Sequence, residues 1–596
     1  MKSHRLTSEH LLLALALLIG GCLRLINLGL APLSDFEANW ALQALNVARG
    51  GDVTIGSQTG YIMLSGFLFW LFGSSNFLAR LIPALAGCAL ILSPVLFRTR
   101  LKRIPVLILA FGLALDPGLV SISRLAGGPM LAVACVVLAA GFAYQRQPIL
   151  AGIFSGMALL SGPALWLGLL SIAVTLLILR WRKQLPPVED ANVAACEPTG
   201  FGWRSFLRQG ILALVITIML VASLCFRYPQ GLSAWLLSIP EFFKGWATPS
   251  GIPVLRLLAG LIIYQPLAVI FALVCIVHLL FFSTHAHLDK LLIKGFILWI
   301  IITLLIDFSY TGRNMSDLVW TLIPLWTLAA LEMGTLIDPG ENIWIALGEA
   351  ILIFILLCVT WLLVASIASA PGINLDWLHI AQLAGSLLLL IFAAYLFSLG
   401  WGWQVSRAGL TWGSMAFLGL YMLSASWGSA QYSAGGKQLT RQELWYPAPL
   451  TGEADLFLST LGDLSVWHTN DRHSIDVRLA VDAPSMLWVM RDYPNVEYAS
   501  TQTPVADISH LPPEQLPPII ITFPLDSELN LSAAYRGQDF AWQIYPAWGG
   551  ILPNPFLAWL VFRDAPQEAV QVTLWARADL FPGGSLEPEE TDQSTP

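Results

Sequence analysis

Long apolar runs separated by short polar stretches fill the first 428 residues. A helix rises 1.5 Å per residue, so about 17–25 apolar residues cross a bilayer. On that count, spanning helices are expected near residues 11–30, 78–97, 104–121, 128–144, 149–162, 163–179, 210–226, 254–280, 292–307, 317–337, 343–368, 378–400 and 408–428, about thirteen in all. Residues 61–72 are apolar but short, as for a segment lying along the membrane surface. Past residue 428 the pattern changes. Residues 452–468 have a helical period, 474–481 alternate as a strand, 484–493 read as a short helix opened by Pro484, and 518–523 form an apolar strand-like run. The expected fold is therefore a polytopic α-helical membrane protein (residues 1–428) carrying a C-terminal extracytoplasmic α/β domain (429–585) and an acidic, disordered tail (586–596).

Composition agrees. Of 596 residues, 56% are hydrophobic and 12% charged, against about a quarter charged in soluble proteins. This excludes a cytosolic globular enzyme, a disordered chain and a coiled coil, and nothing points to nucleic acid. The net charge of −7 divides unevenly: residues 1–428 sum to +6 and 429–596 to −13. The seven cysteines all precede residue 360, so no disulfide staples the C-terminal domain. Six lie in apolar stretches, Cys196 lies in a polar loop, and their spacing is not that of a zinc site. Basic clusters at residues 2–5, 98–103, 146, 180–183, 204–208 and 290–294 fall on one side if the N-terminus is cytoplasmic. An odd helix count then places the C-terminal domain outside the cell membrane. The first run, interrupted by Arg24 and Asn27 and lacking a cleavage site, reads as a retained helix rather than a signal peptide.

That orientation leaves Arg80, Arg124, Arg227, Lys244, Arg256 and Arg313 on the outer face, opposite Asp35 and Glu37 of the first outer loop. Guanidinium forks match phosphate oxygens; snorkelling or helix-end capping is the plainer use. Asp35 and Glu37, behind Ser34, also suit the N-terminus of a helix. Arg313 and Asp317, four residues apart, read as a salt bridge. The aromatic loop 227–251 suits an interfacial belt or an acceptor cleft. His285 and His287 are too isolated for a metal. Asn314-Met315-Ser316 and Asn530-Leu531-Ser532 match a glycosylation acceptor pattern as readily by chance.

The order of these motifs resembles a known family. Asp35-Phe36-Glu37-Ala38 through Ala44 just after the first helix, Gly73-Ser74-Ser75-Asn76-Phe77-Leu78-Ala79-Arg80-Leu81-Ile82-Pro83, Ser123-Arg124-Leu125-Ala126 and the glycine-containing run 152–160 are similar to stretches of the glycosyltransferase C superfamily. The likeness is greatest to bacterial relatives of dolichyl-phosphate-mannose protein mannosyltransferases and to lipid A aminoarabinose transferases. It implies a transferase taking a sugar from a polyprenyl-phosphate donor to a glycan, lipid or protein acceptor at the extracytoplasmic face of the plasma membrane. In that reading Asp35 and Glu37 are the catalytic carboxylates, acting as base or holding a divalent metal (Mg or Mn), and Arg80, Arg124 and Arg313 bind the donor phosphate. The chain departs from the pattern where Phe36 separates the acids, where Gly127-Gly128 replace an Asp, and where Ser161-Gly162-Pro163 replace a Lys. A non-catalytic binder or assembly factor for lipid-linked glycans on the same fold stays open, as does a transporter or flippase.

Overall fold

In the computed structural model, residues 8–51, 54–182, 202–281, 287–369, 377–432, 443–445, 449–525, 531–548 and 550–585 are described. The expectations for residues 2–5, Lys183, Cys196, His285, Asn530 and the tail 586–596 lie outside them.

The membrane body begins with α1 (Ser8–Leu25), α2 (Asp35–Arg49), α3 (Thr59–Phe72) and α4 (Asn76–Leu92), which runs on through a 3-10 turn into α5 (Arg98–Leu101). It continues with α6 (Arg103–Leu115), α7 (Pro117–Ser123), α8 (Met130–Tyr144), α9 (Pro148–Leu159), α10 (Ala164–Trp181) and α11 (Trp203–Ala222). Two short helices, α12 (Gly231–Ala234) and α13 (Ser238–Gly245), lie in the aromatic loop. Then come α14 (Val254–Tyr264), α15 (Pro266–Phe281), α16 (His287–Ser309), α17 (Val319–Leu336), α18 (Ile343–Ser369), α19 (Trp377–Trp401) and α20 (Trp403–Tyr432). Eight described helices are long and apolar enough to span a membrane, or ten if each of two bent pairs is one span. Side chains such as Leu388, Ile391, Phe392 and Leu399 on α19 are exposed, as expected against lipid.

The sequence pattern treats 104–121 and 254–280 as unbroken. The chain instead bends by 56° between α6 and α7 and by 94° between α14 and α15. Both bends sit before a proline, Pro117 or Pro266, which cannot donate to the preceding turn and crowds the backbone ahead of it. At the first bend Asp116 caps α7, its Oδ1 accepting from the Leu119 N–H at 2.8 Å. Its Oδ2 accepts from Trp326 Nε1 at 2.7 Å.

The C-terminal domain holds a six-stranded sheet: β1 (Leu450–Thr451), β2 (Val477–Ala480), β3 (Val496–Tyr498), β4 (Ile519–Thr522), β5 (Tyr535–Pro546) and β6 (Gln567–Arg577), in spatial order β1-β5-β6-β4-β2-β3. The β2–β3 and β2–β4 pairs are parallel and the others antiparallel. Helix α21 (Ala454–Thr469) contributes Phe457, Leu461 and Leu464 to a core shared with Ile519, Ile521, Phe540 and Trp542. Helices α22 (Pro484–Val489) and α23 (Phe556–Phe562) turn toward the membrane body, where Trp488 packs with Phe69 and Trp559 with Tyr264.

Small residues let the central helices approach closely. A Cβ on Gly112 of α6 would lie 2.3 Å from the Trp326 ring of α17. The Nε1–Asp116 bond pins that ring, so it cannot yield. Gly112→Ala is therefore expected to overpack the core and cost about 1–3 kcal/mol, read as a lower melting temperature of the detergent-solubilised protein. An unchanged melting temperature would refute this account of the packing.

Candidate functional site

Ser34 and Glu37 form a capping box at the head of α2. Ser34 Oγ accepts from the Glu37 N–H at 3.4 Å, and Glu37 Oε2 accepts from the Ser34 N–H at 3.1 Å. The same face of α2 that carries Glu37 buries Ala38, Ala41 and Ala44, and Gly50 ends the helix in the left-handed conformation. So anchored, Glu37 points inward. Its two oxygens accept from Arg80 Nε and Nη2, both at 2.7 Å, and Oε1 also accepts from the Ala126 N–H at 3.0 Å. Arg80 spends its remaining donors on the Leu28, Ala31 and Pro32 carbonyls. Both side chains are buried. Burial alone would raise the Glu37 carboxyl, but the Arg80 charge and its hydrogen bonds, with those from Ala126 and Ser34, hold it below the ordinary carboxylate range.

Asp35 faces away from Glu37. Its Oδ1 accepts from the Ser485 N–H of α22 at 2.9 Å and its Oδ2 from Gln543 Nε2 of β5 at 2.7 Å. Beside it Thr451 Oγ1 donates to the Leu33 carbonyl at 2.7 Å, and Trp488 Nε1 donates to Asn76 Oδ1 at 2.8 Å. The first loop is thus the seat of the C-terminal domain. The acidic pair does not fit a divalent metal. The carboxylates diverge, and the Glu37 oxygens are occupied by Arg80 and local donors.

The other two arginines expected to bind phosphate are engaged with backbone. Arg124, buried at the end of α7, donates to the Leu23, Arg24 and Ile26 carbonyls at the end of α1 and to Ala430 of α20. Arg24 returns the arrangement, donating to Leu113 and Ala114 at the end of α6. Arg313 donates to the Asp307, Phe308 and Ile252 carbonyls and makes no salt bridge with Asp317, which instead accepts from the Asn314 N–H at 2.8 Å.

What the acidic loop frames is a cavity of about 630 Å³ between the membrane body and the C-terminal domain. Phe36 and Trp40 of α2 form part of its wall, with Gly127 and Gly128 beside Arg124, Tyr310 and Asp317 before α17, and Tyr545 and Trp548 of the C-terminal domain. Of the cations expected on the outer face, Arg256 alone lines it, held by the Gly550 and Ile551 carbonyls with its guanidinium 4.9 Å from the Trp548 ring centre. Two carboxylates line it. Glu443 accepts from the Tyr264 hydroxyl and lies 3.7 Å from Arg563. Asp317 is 7% exposed. The indole N–H groups of Trp40, Trp445 and Trp548, all in this wall, have no hydrogen-bond acceptor among the described residues. Sequence reasoning paired Asp317 with Arg313 and placed Arg256 on the outer face, but singled out neither Glu443 nor the three tryptophans; nothing local marks these as neighbours.

No protein-family model matches the chain, and no curated protein is similar to it in sequence. A solved structure does share its fold: ArnT from Cupriavidus metallidurans bound to undecaprenyl phosphate, with a TM-score of 0.50 and 14% identity over 86% of this chain and 92% of that one. The chain is accordingly a membrane protein of ArnT-like fold with a small C-terminal sheet domain.

Removing one partner of a buried ion pair costs about 3–5 kcal/mol, because the other charge stays buried alone. Arg80→Met should therefore lose folded protein, while the exposed neighbour Asn39→Ala should not. The depressed Glu37 carboxyl contributes stability that is present above the ordinary carboxylate range and lost as pH falls through its lower folded value. Melting curves on acidification should show that loss in wild type and less of it in Glu37→Gln. Superimposable acid profiles would refute the pairing.

Proposed function

We propose that this protein is an integral-membrane glycosyltransferase that moves a sugar from a polyprenyl-phosphate donor to an acceptor in the cavity beneath its C-terminal domain. The observation that carries the proposal is the cavity wall: three unpaired indole donors, one arginine and a lightly engaged carboxylate, on a fold shared with a protein solved with undecaprenyl phosphate bound. Such a wall suits an oxygen-rich ligand with an anionic group. Indole N–H groups donate to sugar hydroxyls, rings pack against the sugar's apolar face, and Arg256 meets the phosphate.

In the reaction the acceptor hydroxyl forms a bond to the anomeric carbon while the bond to the phosphate oxygen breaks. The phosphate leaves with the electron pair, and the hydroxyl proton passes to a carboxylate. Asp317, in the wall and accepting one backbone hydrogen bond, is the base in this reading. Asp35, next in the chain to the wall residue Phe36 and accepting one bond on each oxygen, is the second candidate. Glu37 acts at one remove, by fixing the loop that carries Phe36 and Trp40. Arg80, Arg124 and Arg313 likewise act by holding the backbone around the cavity. The N-terminus is cytoplasmic and the C-terminal domain extracytoplasmic, in keeping with the basic residues at the opposite ends of the helices.

A second reading has a specific observation behind it. The closed contacts of Glu37, Arg80 and Arg124 suit a protein that binds lipid-linked glycan without transferring the sugar. Membranes supplied with radiolabelled polyprenyl-phosphate sugar separate the two. Asp317→Asn is expected to lower transfer by about 10²–10⁴-fold, the usual contribution of a positioned base, with donor binding retained. Full transfer by Asp317→Asn with loss in Asp35→Asn would move the base to Asp35. Donor binding without transfer by wild type would favour the binder.

A further inference from the structure

A second cavity, of about 450 Å³, lies at the other end of the same helices. Its walls include Arg100, Lys102 and Arg103, where α5 meets α6; Leu292 and Ile293 near the start of α16; and Glu332 and Thr335 near the end of α17. The first cavity meets these elements at their opposite ends, at Leu125 beyond α7, Tyr310 beyond α16 and Asp317 before α17. Helix α17 has 18 residues, or about 27 Å at 1.5 Å per residue. The two cavities thus sit a membrane thickness apart, and the second lies at the depth of lipid headgroups. Lys102 and Arg103 are exposed, and next to them Ile104 is 47% exposed, an apolar side chain placed as if against acyl chains.

The floor is of the other sign. Glu332 is 1% exposed. One of its oxygens meets His278 Nδ1 at 2.9 Å, while Oε2 is buried with no hydrogen-bond partner among the described residues, the weak donor of the Cys275 thiol lying beside the carboxylate. A buried carboxylate oxygen with no donor beside it stronger than a thiol costs free energy, so the arrangement suits a ligand that brings one. Three cations at the mouth and an acceptor at the floor match a molecule with a phosphate at one end and an N–H group at the other. Basic pockets between membrane helices take lipid headgroups by the same electrostatics.

We propose that this cavity binds the headgroup of a phosphoethanolamine lipid, its phosphate against Arg100, Lys102 and Arg103 and its ammonium against Glu332. The site is separate from the cavity beneath the C-terminal domain and does not depend on the reaction proposed there. Choline, which has no N–H donor, cannot satisfy Glu332.

The test is native mass spectrometry of the full-length, delipidated protein titrated with phosphatidylethanolamine, phosphatidylcholine or soluble O-phosphoethanolamine. Wild type is expected to bind phosphatidylethanolamine about tenfold or more tightly than phosphatidylcholine, and Lys102→Gln/Arg103→Gln to weaken that binding by about tenfold. Glu332→Gln is expected to remove the preference between the two lipids. Equal binding of both lipids by wild type, or unchanged binding by the Lys102/Arg103 variant, would overturn the proposal. Soluble O-phosphoethanolamine bound as tightly as the lipid would overturn the lipid assignment. Because Lys102 and Arg103 are exposed, their variant keeps the test decisive even if Glu332→Gln does not fold.

Discussion

Backbone carbonyls at helix ends have no water to bond in the interior of a membrane protein, and each must find a donor within the chain. This molecule meets that constraint with arginine. Arg24 and Arg124 act as a reciprocal pair, the first closing the end of α6 and the second the end of α1. Arg80 gathers the carbonyls of the turn after α1, and Arg313 those at the end of α16. The bend at Asp116, the turn into α2 and the approach to α17 are all built on these contacts. A guanidinium fork offers five donors without a proton to lose, which a lysine could not supply at the same sites.

The same economy shapes the cavity. With few charges available, those nearest the loop after α1 are mostly consumed in holding backbone, and the wall is left to aromatic rings, glycines and a small number of polar groups. Gly127 shows how close the fit is: a Cβ there would lie 2.5 Å from Trp40. Phe36 and Trp40 reach the cavity because Glu37, on the other side of the same turn, is tied to Arg80. The acidic loop therefore has two faces, one locked inward and one meeting the C-terminal domain through Asp35.

Much of the helical body was legible because a bilayer demands long apolar runs, and the thirteen expected segments find counterparts among the helices, although among the described residues eight to ten meet the length and apolarity of a span. The bends were less visible: Pro117 and Pro266 marked them, but continuous apolarity on either side argued for a straight helix. In the C-terminal domain α21, β2, β4 and α22 followed their periodicity. The long pair β5 and β6 went unread, even though Phe540, Trp542 and Ile544 alternate inward. The sequence grouped Asp35, Glu37, Arg80 and Arg124 as one candidate site, and the duties of its arginines depended on which carbonyls lacked partners. That is a property of the assembled backbone, and no spacing rule reports it. Asp317 and Glu443 meet in one cavity across 126 residues of chain, a separation at which sequence carries no local signal.

The bond from Gln543 to Asp35 spans 508 positions. A ribosome adds about 5–20 residues per second, so the loop after α1 waits on the order of half a minute to two minutes before the strand that completes it exists. During that interval α1 through α4 are already made, with the seat of the last domain uncovered. Assembly is therefore closed from its two ends, and a chain interrupted anywhere before β5 leaves its earliest loop unfinished.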